Sequence, residues 1–270
     1  MILVAQLQTS PHRSPDQSKS GENITDGTLR QVLECSKNPT GKIVCTDRIP
    51  MAFAAVGDYA FSSDIVAWNE TLGGALCTDN VILPVGDIRW GQCFTSGAFQ
   101  TCTREVGGSG LFSDLLVGEQ LWIVARCLDD VHPSFSKVGL FSTVRDIFTF
   151  EQDPHHRRRW YFEAIYLRAG TRMCVLSSSS TSCESCTFLF SVLQPNTPYF
   201  LFTAQHAICH AGSFYATSTM QDTFYGIIIN FVADPVSDIP QHRTSRRLLR
   251  RMIMFYHLAL VKGGVENTRG

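Results

Sequence analysis

The sequence has almost no net charge. Its 23 lysines and arginines nearly balance 24 aspartates and glutamates, which leaves a formal charge of −1 at pH 7. Such a chain has no general attraction for nucleic acid or acidic lipid, so any binding of this kind would have to be local. Charged residues make up 17% of the chain and apolar residues 44%. These proportions are those of an ordinary globular protein, and they exclude wholesale disorder.

A long hydrophobic run is also missing. The longest run near the end, residues 252–261, is too short to cross a bilayer. Residues 1–5 are apolar, but no basic residue precedes them and the run is short for a signal peptide. We therefore expect an intracellular protein, nuclear or cytoplasmic, without a transmembrane segment. In those compartments the ten cysteines are expected to be mostly reduced, buried thiols.

The motifs of several common enzyme classes are absent. The chain has no Gly-x-Ser-x-Gly elbow, no phosphate-binding loop and no His-Glu-x-x-His helix. Residues 107–110 are glycine-rich, but no helix of suitable pattern follows them, so they predict a flexible turn. Cys183 and Cys186 have the spacing of a zinc ligand pair. A structural zinc site needs two more ligands, and none stands nearby at matching spacing.

Short β-like runs fill most of the chain. Residues 1–42 form a polar segment that is predicted to be loosely ordered. From about residue 43 the sequence changes to short apolar or alternating runs separated by Gly, Pro and Asp. Examples are residues 64–68, 120–125 and 160–167. Runs of this length that are rich in β-branched and aromatic residues are typical of a sandwich or barrel.

The C-terminal segment, residues 236–270, has a helical period instead. On a helix drawn at about 100° per residue, four arginines fall on one side and four apolar residues on the other. These are Arg246, Arg247, Arg250 and Arg251 on the first side, and Leu248, Leu249, Met252 and Ile253 on the second. The pattern predicts an amphipathic helix from about residue 244 to 260. Its apolar stripe would pack on the body of the protein or on a second copy, as a homodimer, and we do not expect the arginines to bind nucleic acid.

Five short motifs, taken together and in order, resemble one family. They are residues 64–68 (Asp-Ile-Val-Ala-Trp), 87–91 (Asp-Ile-Arg-Trp-Gly), 121–126 (Leu-Trp-Ile-Val-Ala-Arg), 195–198 (Pro-Asn-Thr-Pro) and 214–219 (Phe-Tyr-Ala-Thr-Ser-Thr). The chain resembles the JmjC-domain, cupin-like proteins that are numerous in mushroom-forming fungi. The resemblance implies a mostly β fold, a double-stranded β-helix or jelly-roll over residues 43–235, with flanking helices.

A Ser- and Cys-rich insert, residues 174–192, interrupts this resemblance. In the family, the strand-like run that ends near residue 172 and the Pro-Asn-Thr-Pro passage nearly abut. The hydroxyl-rich composition of the insert resembles translated non-coding sequence. We hypothesise that the insert is a retained intron in the gene model.

The resemblance also implies a metal site that has been dismantled. Active members bind Fe(II) through two histidines and one carboxylate, and use 2-oxoglutarate and O₂. The His-x-Asp/Glu motif of the family falls at Thr103-Arg104-Glu105, and its last histidine falls at Tyr199. A threonine hydroxyl is a weak neutral ligand, and a phenol must lose a proton before it binds iron well. Glu105 alone is a good ligand.

Three functions are compatible with this pattern. The first is a catalytically degenerate JmjC-like pseudoenzyme, without cofactor, that binds an unknown protein or small molecule. The second is an active Fe(II)/2-oxoglutarate-dependent dioxygenase that recruits Glu105 with His206 or His210, although the plainer interpretation of both is an ordinary hydrogen-bonded histidine. The third is a structural protein that oligomerises through residues 244–260. No substrate follows from a fold resemblance.

Overall fold

A computed structural model describes nine stretches of the chain. They are residues 2–6, 23–38, 42–46, 48–50, 62–71, 88–127, 160–170, 191–233 and 243–262. These residues form ten strands, all joined in one sheet, and four α-helices. The prediction of a mostly β protein with some helices is confirmed, whereas the double-stranded β-helix remains a prediction.

The strands follow one another along the chain with large differences in length. They are β1 (Ile2–Gln6), β2 (Asn23–Gly27), β3 (Val44–Thr46), β4 (Ile49–Pro50), β5 (Arg89–Phe94), β6 (Phe99–Thr103), β7 (Gly110–Cys127), β8 (Trp160–Arg168), β9 (Ser191–Leu193) and β10 (Tyr199–Phe214). The main path of the sheet is β2-β1-β3-β5-β10-β7-β8, with β4 on β5, β6 on β10 and β9 on β7. All of these pairs are antiparallel.

The helices lie between and after these strands. They are α1 (Leu29–Lys37), α2 (Ser63–Glu70), α3 (Met220–Ala233) and α4 (Arg243–Lys262). The N-terminal segment, expected to be loosely ordered, thus contains β1, β2 and α1. Helix α1 begins with a capping box, in which Thr28 and Gln31 bind each other's backbone N–H groups. Of the predicted insert, only Ser191 and Val192 of β9 are described; Cys183 and Cys186 lie outside the described residues.

Strand β10 is the centre of the sheet. Strands β5 and β6 follow each other along one of its edges, and β7 pairs with its other edge. Its odd-numbered residues, such as Leu201 and Cys209, enter the core, while the even-numbered Phe202 and Ile208 are exposed. This alternation follows from the period of two along a strand. The side of the sheet that carries the odd-numbered residues is called the core face below.

The two ends of β10 lie much closer together than in a straight strand. A straight strand would place Tyr199 and Ser213 about 46 Å apart. Yet Tyr199 pairs with Thr103, and the hydroxyl of Ser213 donates to Glu105, two residues after Thr103. These two contacts, joined through Thr103 and Glu105, limit the separation of Tyr199 and Ser213 to less than about 25 Å. Strand β10 is therefore sharply bent toward its core face, and its register against β7 shifts at three points between Thr203 and Cys209.

The main hydrophobic core fills the core face. Its larger members include Trp90, Phe94, Trp122, Leu167 and Tyr199. A second cluster joins α2 and α4 to the segments that flank β5 and β10. It consists of Ala67, Trp68, Ile88, Tyr215, Leu248, Leu249 and Met252. Three of the four residues of the predicted apolar stripe of α4 are thus buried within the chain.

Residues 64–68, predicted as a strand, belong to α2, so that prediction is wrong. An apolar run of five residues cannot be assigned to strand or helix by periodicity alone. Asp64 decides the local structure, because its buried carboxylate accepts hydrogen bonds from the backbone N–H groups of Ile65 at 2.8 Å and Tyr215 at 2.9 Å. Burial raises the pKa of this carboxyl. The two bonds attach the start of α2 to the end of β10.

Helix α4 lies where the sequence predicts a C-terminal helix, with two corrections to its faces. On the apolar side, Ile253 is 49% exposed. Arg246, Arg247 and Arg250 are exposed, but Arg251 is buried. Its guanidinium lies 4.0 Å from the centre of the Trp68 ring, and its Nε donates to Thr71 Oγ1. A long arginine stem packs on apolar surface as readily as an apolar side chain does, which a pattern based on charge alone misses. Within the described part of the chain, none of the helices is long and apolar enough to span a membrane.

The glycine-rich segment between β6 and β7, predicted as a flexible turn, is buried and tightly packed. Gly107 and Gly108 have positive φ angles, of 71° and 69°, and Gly108 lies against α3. A Cβ atom placed on Gly226 of α3 would lie 2.6 Å from the Cα atom of Gly108 and 2.3 Å from Oδ1 of Asn196. The segment therefore needs glycine for close contact with the helix.

We expect Gly226→Ala to destabilise the protein by about 1 to 2 kcal/mol, because the overpacking cost exceeds the gain in helix propensity of about 1 kcal/mol. Chemical denaturation measures this difference. Gln221→Ala, at an exposed position of the same helix, is the control and should change the free energy of unfolding by less than about 0.5 kcal/mol. A stabilised Gly226→Ala variant would show that the helix and the glycine segment are not in contact.

Candidate functional site

Thr103 and Tyr199 lie opposite each other on two neighbouring strands of the sheet. They are register partners on β6 and β10, and Glu105 follows in the segment that leaves β6. The structure pairs Thr103 with Tyr199, two of the three positions that the family resemblance assigns to metal ligands. The bend of β10 also brings Ser213, from the opposite end of the strand, to Glu105.

The Tyr199 ring and the Thr103 hydroxyl each have a defined contact. Tyr199 is buried and stacks on Trp122, with ring centroids 5.2 Å apart and planes 26° apart. Thr103 is half-buried, and the side-chain amide of Gln100 donates to its Oγ1 over 3.4 Å. The stacking fixes the direction of the Tyr199 ring by its contact with β7.

The carboxylate of Glu105 is already engaged. Its side chain is 7% exposed, and its Oε2 atom lies 3.0 Å from a guanidinium nitrogen of Arg48. The hydroxyl of Ser213 donates to the same oxygen over 3.3 Å. The Arg48 guanidinium also lies 4.0 Å from the centre of the Trp90 ring. Glu105 is therefore part of an ion pair anchored on the core face.

These side chains do not fit an Fe(II) site of the expected kind. Such a site needs two imidazoles and one carboxylate on one face of the metal. The three positions carry an alcohol, a stacked phenol and a carboxylate bound to a guanidinium. Searched over the described residues, the structure contains no group of three or more His, Cys, Asp or Glu side chains that could hold a metal ion.

His206, one of the two substitute ligands considered from the sequence, has a local role. It is exposed, and its Nδ1 accepts a hydrogen bond from the backbone N–H of Ser96 over 3.0 Å. The hydroxyl of Ser96 donates in turn to the carbonyl of Ala204 over 2.8 Å. These bonds join the turn after β5 to the irregular part of β10. For His206 the interpretation as an ordinary hydrogen-bonded histidine is confirmed.

His210, the other substitute, is buried on the opposite face of the sheet from Ser213 and Glu105, because three residues separate it from Ser213 along the strand. Its register partner on β7 is Asp114, and its ring meets the Phe112 ring edge-on with centroids 5.5 Å apart. Burial lowers the pKa of His210, the Asp114 charge opposes that change, and Arg89 adds to it. Neither histidine is brought to Glu105.

Arg89 is a buried arginine on the face of the sheet that carries His210, and the sequence motifs did not mark it. It is 1% exposed, and its Nη1 donates to the carbonyls of Ile88 at 2.8 Å and Ser213 at 2.6 Å. Its guanidinium also lies 4.7 Å from the centre of the Phe112 ring. The arginine fixes the backbone at the end of β10 from the face opposite to Glu105. The available signal was a charged residue between apolar ones in the motif at 87–91.

The core face also carries a cysteine that behaves as expected. Cys209 has a free thiol, and burial raises its pKa to about 12, so the group stays protonated. Its Sγ donates to Oε1 of Gln120 over 3.5 Å. Cys35, Cys45 and Cys93 also have free thiols and are half-buried.

No protein-family model matches the chain, and a comparison with curated proteins finds no match. The resemblance to JmjC-domain, cupin-like proteins therefore stays a prediction from the sequence.

The burial of His210 leads us to expect that the stability of the protein depends on pH. The pKa of His210 is lowered in the folded chain, so below its ordinary value of 6.5 the unfolded chain binds a proton that the folded chain does not. The free energy of unfolding should fall as the pH drops through 6.5, by up to about 1.4 kcal/mol per pH unit. Urea unfolding at pH 7.5 and 5.5 measures this. His210→Gln should lose less stability than the wild type over this range.

The matched control for this measurement is Ile208→Thr, at an exposed position of the same strand that carries no titratable group. This variant should keep the pH dependence of the wild type. Equal pH dependence in the wild type and His210→Gln would show that His210 binds protons equally well in the folded and unfolded chains.

Proposed function

We propose that the chain is a non-catalytic, JmjC-like protein that acts as a binding or interaction module. The observation that carries this proposal is the ion pair between Glu105 and Arg48 beside the facing pair Thr103 and Tyr199. Where active members of the resembling family hold iron, this chain has a hydroxyl, a phenol and a salt bridge. This chemistry supports a role in binding and gives no support for oxygen activation.

The position of Arg48 is the strongest electrostatic argument. A guanidinium 3.0 Å from the only carboxylate among the three positions competes for that carboxylate and repels a dication. Iron could bind Glu105 only after the ion pair had been broken. A partly buried pair is costly to break, because the remaining charge loses its partner in a poorly solvated place.

The two other functions considered from the sequence have less support. An active dioxygenase with rearranged ligands would need His206 or His210 near Glu105. His206 is exposed and bound to the backbone of Ser96, and His210 lies on the face of the sheet opposite to Glu105. Oligomerisation through residues 244–260 would need the apolar stripe of α4. Leu248, Leu249 and Met252 of this stripe pack on the chain's own second cluster.

The partner of the proposed module is an unidentified protein or small molecule. The balanced charge of the chain gives no reason to propose nucleic acid. The free thiols of Cys35, Cys45, Cys93 and Cys209 are those of a protein in a reducing compartment, which supports a nuclear or cytoplasmic location.

Anaerobic calorimetric titration with Fe(II), followed by a 2-oxoglutarate turnover assay in the presence of O₂, tests the proposal. We expect the wild type to bind no stoichiometric Fe(II) and to turn over no 2-oxoglutarate. Thr103→His combined with Tyr199→His places two imidazoles opposite each other and near Glu105, and we expect it to bind Fe(II) at least about tenfold more tightly, or about 1.4 kcal/mol. Stoichiometric Fe(II) binding with 2-oxoglutarate turnover by the wild type would overturn the proposal.

The control variant is Thr103→His combined with Phe202→His. It carries the same number of new histidines, but position 202 is exposed on the opposite face of β10. It should bind iron no better than the wild type. If the Thr103→His, Tyr199→His variant is equally unable to bind iron, the three positions do not form the site proposed above.

A further inference from the structure

Two polar side chains lie together inside the core. Gln120 of β7 and Thr203 of β10 are register partners, and both are 0% exposed. Their neighbours along the strands, Trp122 and Leu201, belong to the main core on the same face. Cross-strand partners of this kind have Cβ atoms about 5 Å apart, so both side chains can reach one point between the strands.

The amide of Gln120 has a defined orientation. Its Oε1 accepts hydrogen bonds from the indole N–H of Trp122 over 3.3 Å and from the thiol of Cys209 over 3.5 Å. The indole nitrogen is only a donor, so it must face the carbonyl oxygen of the amide and not its nitrogen. The Nε2 of Gln120 therefore points away from these two groups.

Two buried atoms remain without a hydrogen-bond partner at this place. They are Nε2 of Gln120 and Oγ1 of Thr203. A buried amide N–H without an acceptor is a large cost to a fold, larger than the cost of immobilising one water molecule. The missing partner must accept from the amide, and it must be uncharged, because the surrounding core cluster consists of hydrophobic residues.

We infer that a single internal water molecule bridges Gln120 and Thr203. Its oxygen accepts from Nε2 of Gln120, and one of its hydrogens is donated to Oγ1 of Thr203. Two polar partners are enough to hold a buried water. The full burial of both side chains favours water over any larger molecule with a carbonyl or hydroxyl oxygen.

The place of this water in the sheet gives it a structural role. The register between β7 and β10 shifts immediately after Thr203, where the regular ladder of backbone hydrogen bonds is interrupted. A water that links Gln120 to Thr203 would join the two strands at the beginning of the bend in β10. This inference does not depend on the proposed binding function.

Water–protein cross-relaxation in NMR spectra of the full chain tests the inference. We expect a cross-peak between a long-lived water and the side-chain amide of Gln120 in the wild type. Thr203→Val keeps the shape of the side chain but removes the second partner of the water, so the cross-peak should weaken at least about fivefold, since one partner is too few. Thr95→Val is the control, because the hydroxyl of Thr95 is buried but bonded to the backbone of Val44.

The wild-type spectrum alone can overturn the inference, even if a variant does not fold. Absence of the water cross-peak at Gln120 would contradict it, and so would its persistence in Thr203→Val. A native mass spectrum that shows a retained organic molecule, together with NMR cross-peaks between that molecule and Gln120, would show that a ligand and not a water fills this place.

Discussion

The carboxylate of Glu105 holds together parts of the chain that are far apart in sequence. It binds Arg48, which is 57 positions away, and Ser213, which is 108 positions away. Ser213 can reach it only because β10 bends, and the bend depends on the register shifts against β7. Arg89 then fixes the same end of β10 by donating to the carbonyl of Ser213. The curvature of the sheet and the chemistry of the site therefore have a common origin.

The same contacts are the basis on which we propose binding rather than catalysis. A metal centre needs ligands whose lone pairs are directed at one empty point. Here the lone pairs of Glu105 are directed at a guanidinium and a hydroxyl, and the Tyr199 ring is fixed by stacking on Trp122. Glu105, Arg48 and Ser213 contact one another, so these side chains stabilise the fold. Elsewhere in the core, the pair Gln120 and Thr203 needs one more partner.

The sequence predicts the parts of this structure that depend on local periodicity. Residues 120–125 and 160–167 lie in β7 and β8, and the helical period near the end corresponds to α4. Prediction from the sequence fails where a local pattern is ambiguous, as for the five-residue run that lies in α2. It also fails where the structure of a residue depends on partners that are distant along the chain. The burial of Arg251 against Trp68 and the packing of Gly108 on α3 are of this second kind. The facing of Thr103 and Tyr199 follows from the family resemblance, but the partner of Glu105 does not, because no short-range signal connects it to Arg48.

A double-mutant cycle between Arg48 and Glu105 tests most directly whether this ion pair has replaced a metal site. The free energy of unfolding would be measured for Arg48→Ala, Glu105→Ala and the double variant. The same cycle on Arg168 and Glu119 is the reference: this pair is 3.5 Å apart beside an aromatic ring, and its arginine is exposed while its glutamate is half-buried. The account predicts a coupling of about 1 to 3 kcal/mol for the first pair and less than about 0.5 kcal/mol for the reference. A coupling near zero between Arg48 and Glu105 would contradict it.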